Sequence, residues 1–195
     1  YPSLVPSNGK IVKTRVIGKD PTGEKYEKGE RISTYMSYQV MNEIPNWEEQ
    51  MDKMLMMLPV VGTMFKKTYY DKVQDAICSH IVLPKNIVVN YWTASLDDAE
   101  RISEIIEMSP RLVKERQNLK LYREIDLGTP VAPSRDGDST TADPDDNTVP
   151  YELIEQHTFL DLDDDGYPEP YVVLFKRDDG TVLRITRRYA LEDVE

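Results

Sequence analysis

The sequence has very few of the residues that build disulfides, zinc centres or nucleophilic sites, with one cysteine and two histidines among 195 residues. A single cysteine cannot form an intramolecular disulfide. Together with two histidines it does not supply the four ligands of a structural zinc site. We therefore expect a protein that works in a reducing compartment and needs no disulfide framework.

Positive charge is also scarce, because 24 Lys and Arg residues face 35 Asp and Glu residues, which gives a net charge of −11. This balance argues against a surface that wraps broadly around DNA or anionic lipid, although a local basic patch stays open. The longest apolar-rich run, residues 54–64, contains Pro59 and Gly62 and is shorter than the roughly 20 residues that span a bilayer. We expect no membrane segment.

Turn residues and apolar periodicity predict an α+β fold and divide the chain into three segments. Residues 1–127 are expected to form an α+β region with a hairpin, two helices, strands and a short helix. Residues 128–150 contain four prolines, two glycines and five aspartates, and they predict an acidic loop with little apolar surface to bury. Residues 151–195 alternate in polarity and predict an antiparallel β-meander that packs on the same domain.

The N-terminal part of the first segment predicts a hairpin followed by two helices. Residues 10–17 predict a strand, and the turn residues 18–23 predict the hairpin. Apolar spacing predicts a helix from Ile32 that Pro45 ends, and a second helix after Asn46. On the second helix five apolar side chains form a stripe that we expect in the core. They are Trp47, Met51, Met54, Leu55 and Leu58.

The remainder of this segment predicts strands rich in Val, Ile, Tyr and Thr, a short helix with proline at its first position, and an extended stretch. These elements are the strands 63–71, 76–83 and 86–92, the helix 110–117 and the extended stretch 119–127.

The most informative local pattern is the acidic run 161–169. Aspartates at loop positions 1, 3 and 5 with glycine at position 6 are typical of a loop that wraps oxygen ligands around Ca²⁺. The bidentate Glu of position 12 is replaced by Val172, so a complete EF-hand is excluded. A weaker calcium site and an acidic turn in water both stay open. The candidate ligands are Asp161, Asp163, Asp165, Tyr167 through its carbonyl group, and Glu169.

No arrangement of nucleophile and base is recognisable in the sequence. His80 and His157 lie far apart, and the chain lacks both a Gly-x-Ser-x-Gly elbow and a phosphate-binding glycine loop. Cys78 and His80 share one face of a predicted strand and could react together, but a structural role is more common for such a cysteine. We predict no catalytic residue and no enzyme, with a hydrolase that uses scattered carboxylates as the remaining alternative.

Two basic stretches with neighbouring tyrosines could contact nucleic acid. Solvated strand faces explain them equally well, and the negative charge of the whole chain opposes a strong grip on phosphates. The stretches are Lys66-Lys67 with Tyr69-Tyr70, and Arg184, Arg187 and Arg188 with Tyr189.

Several longer runs, in this order, resemble the portal proteins of tailed bacteriophages, in particular those of short-tailed phages. No single run is specific, but together they cover most of residues 31–189. The runs are WEEQMDKMLMMLPVVGTMFKK (47–67), YYD (69–71), VLPKNIVVNY (82–91) and EQHTFLDLDDDGYPEPY (155–171).

The resemblance implies a structural subunit of a dodecameric ring at one capsid vertex, through which a terminase motor packs double-stranded DNA before the DNA is ejected into the tail. It implies other copies of the chain, capsid proteins and tail or adaptor proteins as partners, and no required cofactor. The location would be the virion, after assembly in the host cytoplasm. Family members are several times longer, so we expect a fragment that resembles the wing region. A calcium-binding β-rich module built on residues 161–169 is the alternative.

Overall fold

The computed structural model describes residues 9–130 and 148–188 and divides into two compact units, Tyr1–Pro84 and Lys85–Glu195. Its helices and antiparallel strands confirm the predicted α+β class. The predicted region 1–127 spans both units, and most of the predicted acidic loop 128–150 lies outside the described residues. Within the described ranges, no helix combines the length and apolar character needed to cross a bilayer.

The first unit opens with an irregular segment that lies along a helix, so the predicted strand at 10–17 and its hairpin are wrong. The helix, α1, is Glu24–Tyr38. Its side chains satisfy the segment's backbone, since Val12 N donates to Ser37 Oγ over 3.1 Å and Ser33 Oγ donates to the Val12 carbonyl. Helix side chains thus replace the partner strand that the β-branched residues suggested.

Close approach of that segment explains a glycine inside α1. Thr14 Oγ1 donates to the Gly29 carbonyl over 2.8 Å, and a Cβ at position 29 would lie 3.1 Å from the same Oγ1. Any larger side chain would therefore push the segment away. The glycine lowers helix propensity but permits the contact.

α1 begins well before the predicted start at Ile32 because Asp20 caps its first turn. The two carboxylate oxygens of Asp20 accept hydrogen bonds from Gly23 N (3.1 Å) and Tyr26 N (2.9 Å). Gly23 has φ 78°, a backbone conformation that glycine adopts without strain. The turn residues that suggested a hairpin thus lead into a helix.

After α1 the chain continues through a π-helical turn, Gln39–Glu43, which Ile44 N closes by donating to the Gln39 carbonyl over 3.3 Å. Ile44 is extended, with ψ 115°. Because a residue before proline is disfavoured in the α region, the predicted stop at Pro45 is confirmed.

The second helix, α2, is Trp47–Val61 and begins after Asn46 as predicted. It continues past the predicted stop at Pro59 and ends at Gly62, which has φ 83°. Pro59 has no N–H and therefore cannot donate the hydrogen bond that a helical residue makes to the carbonyl four positions earlier. Of the five side chains in the predicted apolar stripe, only that of Trp47 is buried. Leu58 is exposed, with 38% of its surface accessible.

Two strands complete the first unit as an antiparallel hairpin, β1 (Phe65–Asp71) with β2 (Ala76–Val82). They confirm the predicted strands 63–71 and 76–83 with slightly shorter ends. α2 packs against β2, where Gln50 Oε1 accepts a hydrogen bond from Ile81 N over 3.1 Å. This bond ties the end of the hairpin's second strand to the helix.

The second unit is built on a five-stranded antiparallel sheet in the order β3-β4-β5-β6-β7. The predicted meander is confirmed as β5 to β7, and β3 lies within the predicted strand 86–92. β4 was not predicted, because Glu104 and Glu107 interrupt its apolar alternation. The strands are β3 (Ile87–Val89), β4 (Arg101–Met108), β5 (Tyr151–Leu160), β6 (Glu169–Lys176) and β7 (Val182–Arg187).

A short helix covers part of this sheet and completes an apolar core. α3 (Pro110–Asn118) starts with proline at its first position, as predicted. The predicted extended stretch 119–127 forms no strand; its backbone carbonyls at Arg123 and Ile125 accept hydrogen bonds from Gln117 Nε2. The core consists of Val113, Tyr122, Leu127, Tyr151, Leu153, Leu174 and Leu183.

A β-bulge in β7 determines the position of one of these core residues, Leu183. Leu174 pairs with Arg184 and Phe175 with Val182, so Leu183 is left without a cross-strand partner. Its carbonyl instead accepts a hydrogen bond from Arg123 N over 2.9 Å. The bulge therefore fastens the stretch after α3 to the edge of the sheet.

Candidate functional site

The turn between β5 and β6 brings three of the predicted metal ligands together. Carboxylate oxygens of Asp161, Asp163 and Asp165 all lie within 4.8 Å of one another, and the three residues are exposed. The Asp161 carboxylate also accepts hydrogen bonds from Asp165 N (3.2 Å) and Gly166 N (2.9 Å). The backbone of the turn is thus folded around the first aspartate.

The carboxylate of Glu169, another predicted ligand, is paired with residues outside the three-aspartate group. Glu169 Oε2 accepts a hydrogen bond from the Tyr171 hydroxyl over 2.7 Å and lies 3.4 Å from Arg187 Nη2. The hydrogen bond with Tyr171, and then the charge of Glu169, raise the pKa of Arg187 above its ordinary value. Tyr167 donates its N–H to Asp165 Oδ1 over 2.7 Å. The structure therefore gathers three carboxylates in the turn and places Glu169 in an ion pair.

Cys78 and His80 both take part in the packing of the β1–β2 hairpin. The His80 ring meets the Tyr69 ring edge to face, with centroids 5.4 Å apart. The half-buried Cys78 directs its Sγ toward Gln74 Oε1 at 3.6 Å. These contacts favour the structural role of the pair over a reactive one.

The first basic stretch contacts aromatic rings of its own unit. Lys66 Nζ lies 4.9 Å from the Trp47 ring centroid, and Lys67 Nζ lies 5.7 Å from that of Tyr69. Partial burial lowers the pKa of Lys66. Cations held over rings in this way stabilise the fold, so both lysines have a structural role within their own unit.

Sequence reasoning missed an arginine–tyrosine cluster in the second unit. Tyr122 is buried, and the guanidinium carbons of Arg116 and Arg184 each lie 5.8 Å from its ring centroid. Burial raises the pKa of the Tyr122 hydroxyl, and the two arginines oppose that rise. No local pattern could have shown this cluster, because its members come from α3, the stretch after it, and β7.

Arg184 links this cluster to β5 through an ion pair, and one of its nitrogen atoms is buried. Its Nη2 lies 3.4 Å from Glu155 Oε2. Its Nε is buried and has no hydrogen-bond partner within the part of the chain that the structure describes. The predicted neighbour Tyr189 lies outside the described residues.

A groove of about 650 Å³ lies beside Arg184, between the stretch after α3 and β7. We call it the basic groove. Its wall contains one carboxylate, that of Glu124, against three cationic side chains. Its apolar residues are Leu121, Val182, Leu183 and Ile185, and its cationic residues are Lys120, Arg123 and Arg184.

Large apolar side chains are exposed in both units. In the first they lie on both helices: Tyr26, Tyr35 and Tyr38 of α1, and Met56 and Val60 of α2. In the second, the loop 90–100 between β3 and β4, here called the aromatic loop, carries Tyr91 and Trp92 at 89% and 90% exposure. Exposed apolar side chains are typical of protein–protein contact sites where they form a continuous patch.

Sequence comparison with models of protein families gives no match for this chain, and comparison with curated proteins gives no significant match. The exposed apolar surfaces and the three-carboxylate turn are the features from which a function can be inferred.

Proposed function

We propose that the chain is a structural subunit, or part of one, in a ring of the bacteriophage portal type that surrounds a channel for double-stranded DNA. The observation that carries the proposal is the exposure of large apolar side chains on α1, α2 and the aromatic loop. Each such side chain gains about 1.5–3 kcal/mol when it is fully buried. A cyclic ring offers that burial, because each subunit contacts a neighbour on either side.

The composition of the first unit supports the same proposal. A two-stranded sheet is marginally stable by itself, and the side chains buried in the described part of this unit are mostly small or polar. They are Ser33, Ser37, Trp47, Asp71, Ser79 and Val82. A unit with so little buried apolar surface gains much from a covering neighbour.

The charge of the chain fits a subunit that DNA passes without being held. Lys and Arg residues that neutralise phosphates produce tight, salt-dependent binding, and here carboxylates outnumber them to give a net charge of −11. In this proposal the partners are further copies of the chain, capsid proteins, tail or adaptor proteins and the terminase motor. The protein would reside in the virion and would not be an enzyme.

Electron microscopy of the natural gene product that contains this sequence tests the proposal. We expect rings with a central hole. A paired variant, Met56→Ser with Val60→Ser, should lower the fraction of rings, because it removes two exposed apolar side chains from α2. The matched control is Leu162→Ser, which alters an exposed leucine in the β5–β6 turn. A compact monomer at high protein concentration would contradict the proposal.

Calcium binding is the second candidate, and the convergence of Asp161, Asp163 and Asp165 favours it. Clustered carboxylates repel one another, and a cation relieves that repulsion. Melting curves with and without calcium separate a calcium-binding module from a solvated acidic turn, since a ligand that binds only the folded state raises the melting temperature.

A further inference from the structure

We propose that the aromatic loop of one copy of this chain binds in the basic groove of a second copy, in a head-to-tail contact. The inference rests on the proposed ring-forming function, which it deepens by naming the two surfaces that meet. Both surfaces belong to the second unit.

The aromatic loop presents two rings in a locally ordered arrangement. Tyr91 and Trp92 pack edge to face, with centroids 5.0 Å apart. Turn hydrogen bonds run from Thr93 N to the Asn90 carbonyl (3.1 Å) and from Ala99 N to the Leu96 carbonyl (3.4 Å). Tryptophan and tyrosine are the residues that most often dominate binding energy in interfaces. Holding them in place before binding reduces the entropy that association costs.

The basic groove has the size and lining for such a pair. Its volume of about 650 Å³ lies in the range of cavities that enclose a drug-sized group on mostly apolar walls. Val182 and Ile185 supply apolar contact, and the exposed side chains of Lys120 and Arg123 add hydrogen-bond donors. Two aromatic rings and a tyrosine hydroxyl match this combination.

Charge complementarity selects a second copy of the chain as the occupant. The aromatic loop carries three exposed carboxylates, those of Asp97, Asp98 and Glu100. The groove carries the exposed cations Lys120 and Arg123 against the carboxylate of Glu124, while its third cation, Arg184, is ion-paired with Glu155. Surfaces of opposite sign favour the correct pairing and speed up encounter.

The sheet topology makes the contact intermolecular and directional. The aromatic loop follows β3 and the groove is lined by β7, which are the opposite edges of the sheet. Four interstrand spacings of about 4.8 Å separate these edges by roughly 19 Å, and the loop is closed by its own turns. A contact between two different surfaces is heterologous, and repetition of it gives a ring or a filament.

Cysteine cross-linking with the full chain tests the contact. One variant carries Cys78→Ser with Ala94→Cys in the loop, and the other carries Cys78→Ser with Glu124→Cys at the groove. We expect a mixed disulfide dimer when the two variants are mixed in a glutathione redox buffer, in excess over either homodimer. The control replaces Glu124→Cys by Tyr167→Cys, an exposed site in the β5–β6 turn, and should give little product.

Sedimentation equilibrium measures the dissociation constant of self-association, and so the contribution of single residues to it. Trp92→Ala should raise the dissociation constant of self-association about tenfold or more, whereas Tyr167→Ala should leave it unchanged. Asp97→Lys and Arg123→Glu should each weaken association, and their combination should restore part of it. All four positions are exposed, so circular dichroism should show an unchanged fold.

The outcomes separate this inference from the proposed function. Rings of the natural gene product that Trp92→Ala leaves intact, with no mixed disulfide, would overturn the loop-in-groove contact and leave the ring standing. A closed dimer that never grows would show a reciprocal exchange and would also overturn the head-to-tail contact. Absence of both rings and any self-association would contradict the proposed function and this inference together.

Discussion

The two units bury different kinds of side chain. The second unit encloses a continuous apolar cluster that α3 and the strands β5, β6 and β7 share, and Leu153 at its centre is fully buried. In the first unit Trp47 and Val82 are the large apolar residues buried among the described ones, and serines and one aspartate make up the rest. In the first unit, α1 contacts the segment before it through small residues. The second unit is instead built around buried apolar side chains.

This difference shows where each unit obtains its stability. Apolar burial stabilises in proportion to area, and the described residues of the second unit bury more large apolar side chains than those of the first. The first unit exposes tyrosines on α1 and apolar side chains on α2. Burial of these side chains against a neighbouring subunit would therefore add to its stability. Within the proposed ring, assembly would stabilise the first unit more than the second.

The largest effect is expected from Leu153→Ala. The substitution removes the centre of the continuous core and should lower the free energy of unfolding of the second unit by about 3 kcal/mol. Amide hydrogen exchange in β5 and β6 reports it. Leu162→Ala, an exposed leucine in the adjoining turn, is the control and should change stability by less than about 0.5 kcal/mol. Equal effects of the two would show that the core is misplaced.

Trp47→Ala should have the next largest effect and should be confined to the first unit. We expect a loss of about 2 kcal/mol, below the usual range for tryptophan, because half-exposed neighbours leave a smaller cavity. Exchange should accelerate in β1 and β2 and stay unchanged in β5. The pKa of Lys66, now lowered by burial, should rise toward its ordinary value. Unchanged exchange in β1 and β2 would contradict the placement of Trp47 in the core of the first unit.

Lys176→Met tests a buried hydrogen bond inside the second unit. The buried Lys176 Nζ donates to the Leu127 carbonyl over 3.0 Å and lies 3.6 Å from carboxylate oxygens of Asp178 and Asp179. Methionine keeps the volume but leaves that carbonyl unsatisfied, so we expect a loss of about 1–3 kcal/mol by chemical denaturation. Lys85→Met, at an exposed position, should be nearly neutral.

Calcium should add a small stabilisation to the second unit. Because Val172 replaces the bidentate ligand, we expect a dissociation constant of roughly 0.1–1 mM and a correspondingly small rise in melting temperature. Asp163→Ala should abolish that rise and slightly stabilise the calcium-free protein by relieving repulsion. Flat calorimetric titrations would show a solvated turn, and submicromolar affinity would favour the calcium module over the portal subunit.

The smallest effect concerns acid sensitivity at Asp179. Hydrogen bonds with Thr181, and then Lys176, hold the pKa of this carboxyl below its ordinary 3.8. A depressed folded pKa means that the contribution to stability is complete above the unfolded value and is lost as the pH falls through the folded one. Asp179→Asn should therefore flatten the decline of the denaturation midpoint below about pH 4. An unchanged decline would refute this assignment.

The elements that sequence patterns predicted well are those whose signals are local. Pro110 at a helix start, the break at Pro45 and the alternation of β5 to β7 need no information beyond neighbouring residues. The strand predicted at 10–17 failed because Ser33 and Ser37, one turn apart on α1, satisfy the backbone N–H and carbonyl of Val12.

The candidate sites show the same limit. The convergence of three aspartates is local and was predicted, whereas the partner of Glu169 is Arg187 on another strand. The cluster around Tyr122 joins three elements, and the basic groove depends on β7 lying beside the stretch after α3. Contacts of this kind follow from topology, which short patterns do not encode.

The bulge at Leu183 has a consequence for insertions and deletions. Deleting this residue would restore regular pairing between β6 and β7 but would remove both a core side chain and the acceptor of Arg123 N. A deletion scan should therefore find position 183 intolerant, although regular ladders are generally favourable. The exposed turns at 90–100 and 161–168, whose hydrogen bonds are mostly internal, should accept length changes with far less loss of folding stability.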